Sequence, residues 1–402
     1  MKVIIETLGC KVNFLESERI KKELSLMGFS IVDDDADFAI VNTCTVTDTA
    51  NKKSFDRLKK FQQKAKKVII TGCAARIDNE FGDFVVLPNY IDVVEYFRSL
   101  QIDLEPRDYQ KTRTRAFVEI QRGCESFCSY CIIPFTRGRS ESIEKSVIID
   151  EVKSLYDEGI KEIVLTGINL MAWGAESTNR PATTRFDEIL RAILNETKMP
   201  RVRISSIGPE FVDQRFFDLY ENPRICDHLH ISIQSGSEKI LEAMNRGHGA
   251  DEIRYIAENA YKKRPLSALT ADFIVGFPGE SEFDFQDSLK LARDIKLSKV
   301  HVFPFSPRKG TVAYNMQQLD SQESKRRAEV FRLEGDKLRA DFIEKNIGEE
   351  LEVLFEHKED GLSANYIRIH EKGVQENEIR KVILSRDNLV YGLNQMVMIG
   401  DH

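Results

Sequence analysis

Three cysteines, Cys124, Cys128 and Cys131, stand in the run Arg122-Gly-Cys-Glu-Ser-Phe-Cys-Ser-Tyr-Cys131. Thiolates at this spacing can hold three irons of a [4Fe–4S] cube and leave the fourth iron open. Tetrahedral zinc or a closed four-cysteine cluster needs one more ligand close by, and the sequence offers none there. An open iron is a place where a small molecule carrying an amine and a carboxylate can chelate. Tyr130, just before the last cysteine, can lie against a flat ring of such a ligand. The bland alternatives, a zinc knob or a set of buried thiols, fit the array less well.

A second trio is spread through the first part of the chain. Lys2 to Thr7 reads as a buried strand and leads to Gly9-Cys10. Asp37 to Val41 is another, leading to Cys44, and Lys67 to Ile70 is a third, leading to Gly72-Cys73. Helical patterns at 16–27 and 48–64 separate them, so the region repeats a strand–helix unit. Strands linked in this way form a parallel sheet whose ligand sites collect at the carboxyl ends of the strands. Each cysteine follows such an end, so three thiols far apart in sequence are expected to converge and hold a second cluster with an unsaturated iron. The alternative is three unconnected core cysteines.

The cysteines of these trios are six of the seven in the chain, and Cys226 reads as packing. With no signal peptide and no long apolar run, a soluble, cytoplasmic protein with no membrane association is expected, where reduced cysteines serve metals more often than disulfides. At 402 residues, two or three domains are expected. The net charge of −7 does not announce a nucleic-acid binder, but charge is unevenly spread. The helix after Cys44 concentrates Lys52, Lys53, Arg57, Lys59, Lys60, Lys64, Lys66 and Lys67 against only Asp48 and Asp56. Such a face can hold phosphates or simply be solvated.

The elements that must position the first trio form a repeat. Strands are expected at 117–121, 162–165, 201–204, 228–233, 269–275 and 299–303, with helices at 148–158, 186–195, 210–220, 253–263 and 283–295 between them. Six strand–helix units curl into an open partial barrel whose functional groups sit in the loops past the strands. Those loops supply the candidate ligand-binding residues Thr166, Gly167, Asn169, Ser205, Gln234, Ser235, Arg246 and Asp272, with Tyr130 before Cys131. His228 and His230 alternate along one strand and read as barrel-interior packing, and Trp173 and Tyr314 are aromatic candidates for stacking on a base.

After a charged amphipathic helix at 320–345, short β-rich runs at 351–355, 365–369, 382–384, 390–392 and 397–399 suggest a small five-stranded barrel. Residues 344–402 hold twelve Asp and Glu against seven Lys and Arg, so RNA contact there requires a local patch such as Tyr366, Arg368, Arg380, Lys381 and Arg386. A packing module or lid is the alternative. The class is therefore α/β, with domains expected at 1–105, 115–345 and 346–402.

The chain resembles the radical S-adenosylmethionine methylthiotransferases over essentially its whole length. The matching segments include Thr7-Leu-Gly-Cys-Lys-Val-Asn13, Asn42-Thr-Cys-Thr-Val-Thr47, Gly72-Cys-Ala74 and Gly123 to Pro134. Further matches are Arg137-Gly-Arg139, Leu165 to Asn169, Gln234-Ser-Gly-Ser237, Met244-Asn-Arg246, Ile274 to Glu280 and His301 to Pro304. The start of the chain is most similar to the branch acting on N6-threonylcarbamoyladenosine at position 37 of tRNA. The resemblance implies an N-terminal parallel α/β sheet domain, a central open (β/α)6 partial TIM barrel of radical SAM type, and a C-terminal small β-barrel of TRAM type. It implies two [4Fe–4S] clusters, the first on Cys124, Cys128 and Cys131 binding S-adenosylmethionine, with Tyr130 against its adenine. Cys10, Cys44 and Cys73 would hold the auxiliary cluster, which presents sulfur to adenine C2 after a 5′-deoxyadenosyl radical removes hydrogen. The implied partners are a tRNA anticodon loop, a flavodoxin- or ferredoxin-like low-potential electron donor and a sulfur source, with the chain acting as a monomer. Lys52, Lys53, Arg57, Lys60, Arg368, Arg380 and Lys381 are its candidate RNA contacts. The competing readings are methylthiolation of a ribosomal-protein aspartate and a non-catalytic iron–sulfur redox protein. The chain departs from the family at Phe14-Leu15 and at Gly208-Pro209, where Glu-Pro is common.

Overall fold

The computed structural model describes residues 1–77, 81–82, 84–107, 114–175 and 184–390. They fall into two compact units, the first holding the described residues of 1–107 with 131–138, the second those of 114–130 and 139–390. No helix among the described residues is long and apolar enough to cross a membrane.

The first unit is built on a five-stranded parallel sheet, in the order Ser30–Ile31, Lys2–Thr7, Ala36–Thr43, Ala65–Gly72, Val85–Val86. Its central strands are apolar on both faces because both faces are covered. Ile4, Ala39, Val41, Val68 and Ile70 pack on one side with Leu58 and Phe61 of the helix Asp48–Gln62. Val3, Phe38, Ile40 and Ile69 pack on the other with Ile20 and Leu24 of the helix Lys11–Leu26 and with Val93 and Phe97 of the helix Tyr90–Ser99. Each such Val, Ile, Leu or Phe side chain, fully buried, contributes about 1.5–3 kcal/mol. The edge strands Ser30–Ile31 and Val85–Val86 were not expected; at two residues each they are too short to show an alternation.

In the second unit all six expected strands are present. Arg115–Arg122, Glu162–Gly167 and Arg201–Ile204 pair in parallel, as do Ser206–Ile207, His228–Gln234, Ala268–Val275 and Lys299–Pro304. Chain continuity through Ser205 and a parallel bridge between Val202 and Ile225 join the two sets into one curled half-barrel sheet. Helices Lys145–Asp157, Phe186–Glu196, Gln214–Tyr220, Ala250–Lys263 and Glu282–Asp294 cover it. One helix begins later than expected: the Asp213 carboxylate accepts from Arg215 N–H and caps Gln214–Tyr220, leaving Glu210 in a separate turn, Pro209–Phe211.

The helix Ser321–Asn346 leads to an antiparallel sheet ordered Arg368–His370, Asp360–Ser363, Glu350–His357, Ile379–Ile383. Asp360–Ser363 escaped sequence reading because its Gly361 interrupts any apolar alternation. The expected strand at 390–392 lies outside the described residues but for Val390, and that at 397–399 lies wholly outside them.

Within this unit the sheet is tied to the amino-terminal ends of barrel strands by buried charge. Glu162, fully buried, accepts from Arg201 (2.9 Å) and Arg203 (2.7 Å), with Arg115 at 3.7 Å. The same arginines donate to Ala364 O (2.9 Å) and Glu352 O (3.3 Å), and Arg115 pairs with Glu356 at 2.5 Å. Burial disfavours the Glu162 charge, yet the three arginines outweigh it and hold the carboxyl below its ordinary range. A folded-state value below the unfolded one gives stability present above about pH 4.3, the unfolded value, and lost as pH falls through the lower one. Breaking such a buried pair from one side costs about 3–5 kcal/mol. Glu162→Gln is therefore expected to lower the unfolding free energy from urea titration by that amount at pH 7, and the gap from wild type should close as both are acidified.

Candidate functional site

The sheet register carries three thiols to one place. Thr7 lies opposite Asn42, and Thr43 opposite Gly72, so the chains to Cys10, Cys44 and Cys73 leave the same end of adjoining strands. Two glycines make the approach possible. Gly9 has φ +97°, and a Cβ there would sit 2.7 Å from Cys44 Cβ and 2.9 Å from its Sγ. Gly72 has φ +87°, and a Cβ there would be 2.3 Å from Asn42 Oδ1. Asn13, wholly buried, donates to Leu8 O (2.7 Å) and Thr43 O (2.9 Å), binding the Cys10 loop to the strand end before Cys44. The Ser54 hydroxyl accepts from Cys44 N–H (3.1 Å), and Cys73 N–H donates to Thr43 O (3.0 Å).

Cys10 is exposed, whereas Cys44 and Cys73 are buried. Burial pushes the Cys44 thiol up to about 12, and the nearby Cys73 and Cys10 thiols add to the rise. Burial also pushes Cys73 up, against the pull of Arg137. Thiols so placed give up protons chiefly to a cation that replaces them, as metal binding requires.

Arg137, in the segment 131–138 of this unit, was not expected here. Its guanidinium lies beside the Cys73 thiol, donates to Glu16 Oε1 (2.5 Å) and donates to Asn13 Oδ1. Glu16 also pairs with Arg76 at 3.2 Å. No three His, Cys, Asp or Glu among the described residues are grouped for a single metal ion. A cube differs, since each thiolate binds a separate iron, and three thiols around a glycine cradle beside a buried cation fit that donor set.

The other array follows the strand Arg115–Arg122 through Gly123 at φ +63°. Cys124, Cys128 and Cys131 are half-buried. Cys124 Sγ hydrogen-bonds the Ser126 hydroxyl (3.4 Å), and burial pushes its thiol up. Asn169 Nδ2 donates to that hydroxyl (3.4 Å), and Asn169 N–H donates to Gln121 Oε1 (2.8 Å), whose own amide donates to Gly123 O (2.8 Å). Phe127, in the left-handed region at φ +44°, is held by Asn245 Nδ2 donating to its carbonyl (3.1 Å). Arg246 donates to Cys128 Sγ (3.4 Å) and Ser232 O (3.0 Å) and pairs with Glu210 at 3.6 Å. Burial works against ionising Glu210, but Arg246 and His248 prevail and bring its carboxyl down to about 2. A Cβ at Gly208 would lie 3.1 Å from the Glu210 carboxylate, so Glu210 fills the space beside Gly208.

Of the remaining expected residues, Thr166, Gly167, Ser205, Gln234 and Ser235 lie at or just past strand ends, whereas Asp272 sits inside the strand Ala268–Val275. Thr166 and Gly167 end Glu162–Gly167, Ser205 is buried between two strand segments, and Gln234 ends its strand at φ +73°. Ser235 is buried, with its hydroxyl against Ser288 (3.4 Å). Asp272 lies 3.1 Å from His230 and 3.6 Å from His301. Tyr130 packs against Ile240, Met244, Phe277 and Ala313. Trp173 is buried and donates to Ile143 O (2.9 Å), whereas Tyr314 is exposed.

Among the candidate RNA contacts, Lys52, Lys53 and Lys60 are exposed, as is the neighbouring Lys59. Arg57 pairs with Glu6 (3.0 Å), Arg368 with Glu356 (3.7 Å), Arg380 with Glu378 (2.7 Å) and Lys381 with Glu350 (2.9 Å). Tyr366 carries Arg203 4.2 Å over its face and His228 at 4.3 Å, so its ring is engaged with the barrel.

Two family models match the chain: the Radical SAM superfamily over residues 118–292 and Uncharacterized protein family UPF0004 over residues 2–90. The threonylcarbamoyladenosine tRNA methylthiotransferase MtaB of Aquifex aeolicus is 32% identical, covering 94% of this chain and 98% of the relative. The protein of that name from Rickettsia prowazekii is also 32% identical, over 91% of this chain and 90% of the relative. The tRNA-2-methylthio-N(6)-dimethylallyladenosine synthase of Endomicrobium trichonymphae is 31% identical, over 90% of each. The radical S-adenosylmethionine methyltransferase TsrM of Kitasatospora setae shares the fold at a TM-score of 0.54 and 11% identity, over 76% of this chain and 74% of that one. The chain belongs to the radical S-adenosylmethionine tRNA methylthiotransferase family.

Proposed function

We propose that this chain inserts a methylthio group at C2 of N6-threonylcarbamoyladenosine at position 37 of tRNA, using two [4Fe–4S] clusters and S-adenosylmethionine. The observation that carries the reading is the meeting of the Cys10, Cys44 and Cys73 thiols at one end of a sheet, beside a buried guanidinium. A second three-cysteine array alone would suit any radical enzyme; two such sets suit sulfur insertion. The relatives named for threonylcarbamoyladenosine support the choice of base.

When bound, the clusters and S-adenosylmethionine supply the radical and the sulfur, chemistry that amino-acid side chains lack. The chain's own part is holding and orienting. Cys124, Cys128 and Cys131 would bind the first cluster, and Cys10, Cys44 and Cys73 the second. Arg246, whose Nε–H has no acceptor among the described residues, offers a donor to the carboxylate of S-adenosylmethionine. Tyr130 would lie against the adenine, and Thr166, Gly167, Asn169, Ser205, Gln234, Ser235 and Asp272 would line the rest. Residues 1–105 would serve as the sulfur-delivering domain, 115–345 as the radical domain and 346–402 as a TRAM-like module.

Base 37 lies in a single-stranded loop, so drawing it out of its stack costs about a few kcal/mol. Exposed Lys52, Lys53 and Lys60 would meet backbone phosphates, with Arg57, Arg368, Arg380 and Lys381 doing so only on leaving their carboxylates. A flavodoxin- or ferredoxin-like protein would supply electrons, and an external source would restore the sulfur.

Mass spectrometry of tRNA nucleosides from cells with and without the gene tests the reading. The methylthiolated threonylcarbamoyladenosine should vanish, leaving its unthiolated precursor. Loss of the dimethylallyl methylthioadenosine instead would move the assignment to the other branch, and an unchanged profile would contradict both.

A further inference from the structure

We propose that Arg137 is the positioning residue of the three-thiol pocket, donating hydrogen bonds to the sulfurs of the centre held there and raising its reduction potential. The proposal rests on the reading of Cys10, Cys44 and Cys73 as cluster ligands. Arg137 sits on the short helix Ile133–Arg137, and its side chain is only 4% exposed. It contacts the Cys73 thiol, and its charge also acts on Cys44 and Cys10. Two of its nitrogens are fixed by Glu16 and Asn13. The third, Nε, is buried and has no acceptor among the described residues. A buried donor without a partner is destabilising, so a group that supplies an acceptor is favoured there.

Charge points the same way. Glu16 is shared by Arg137 and Arg76, leaving these three largely buried side chains at +1. A cube in its 2+ state bearing three thiolates carries −1, and −2 after one-electron reduction. A fixed +1 beside it stabilises the reduced form more than the oxidised one, and hydrogen bonds to the sulfurs act in the same direction. Arg137 alone could be a structural partner of Glu16; the unmatched Nε–H and the contact with Cys73 are what that role leaves unexplained.

The test uses the full-length chain with Cys124, Cys128 and Cys131 changed to Ala, so that only the centre in question is seen. Iron is reconstituted, and the potential is measured by electron paramagnetic resonance during a reductive titration. Arg137→Gln is expected to keep its iron but become at least tenfold harder to reduce, about 59 mV more negative. Arg137→Lys, which keeps the charge that Glu16 pairs with, should fall between the two. It decides the matter should Arg137→Gln fail to fold. Potentials unmoved in the folded variants would overturn the role of Arg137 alone. A parent that holds no iron would overturn the cluster reading beneath it, and this proposal with it.

Discussion

A full-length chain carrying Cys10→Ala, Cys44→Ala and Cys73→Ala should still cleave S-adenosylmethionine to 5′-deoxyadenosine but leave tRNA without a methylthio group. The expectation follows from where these thiols stand. They lie past one end of the parallel sheet in the first unit, held together by Asn13, Ser54 and the Gly9 cradle. The contacts of Cys124 and Cys128 with Ser126 and Arg246 are made entirely within the second unit. Alanine at the sheet end shortens side chains without adding bulk, so the strands that carry them should persist. Chromatography of the two products from one reaction checks the split. Methylthiolated tRNA from this variant, at the wild-type level, would remove these cysteines from the chemistry.

The converse change, Cys124→Ala with Cys128→Ala and Cys131→Ala, is expected to abolish both products. No amino-acid side chain can take over one-electron cleavage of a sulfonium, so the residual rate should be that of the protein-free control. The loop that bears Cys124 and Cys128 has supports besides its sulfurs. Ser129 N–H donates to Met244 O (2.9 Å), and the Ser129 hydroxyl donates to Ala243 O (2.8 Å). The variant should therefore fold, and circular dichroism matching wild type would show that the loss is chemical. Release of 5′-deoxyadenosine by this variant would place the radical chemistry elsewhere in the chain.

Much of this arrangement was legible in the sequence, for reasons that differ by element. The central strands were readable because strands covered on both faces are continuous apolar runs, as in Val3-Ile-Ile5 and Val68-Ile-Ile70. The cysteines were readable because a ligand at the end of a predicted strand has a predicted place. Arg137, Glu16 and Glu210 were not, because a charged residue is by default read as facing water, and only tertiary packing shows Arg137 with Glu16, and Glu210 with Arg246, largely withdrawn from it. Asn13 gave a weak signal, three residues after Cys10 on the same helix turn. The basic residues of the last sheet carry acidic partners that the sequence alone does not show. Register places Lys381 across from Glu352, with Glu350 within reach, so a patch that looks cationic in one dimension is neutral in three.

The central claim is that Cys10, Cys44 and Cys73 hold a metal centre of their own. It is tested most directly by Mössbauer spectroscopy with iron counting on reconstituted wild type and on the Cys124, Cys128 and Cys131 triple variant. Wild type should carry about eight irons per chain, and the variant about four, with the spectrum of a [4Fe–4S] cube. A well-folded variant that retains no iron would contradict the account.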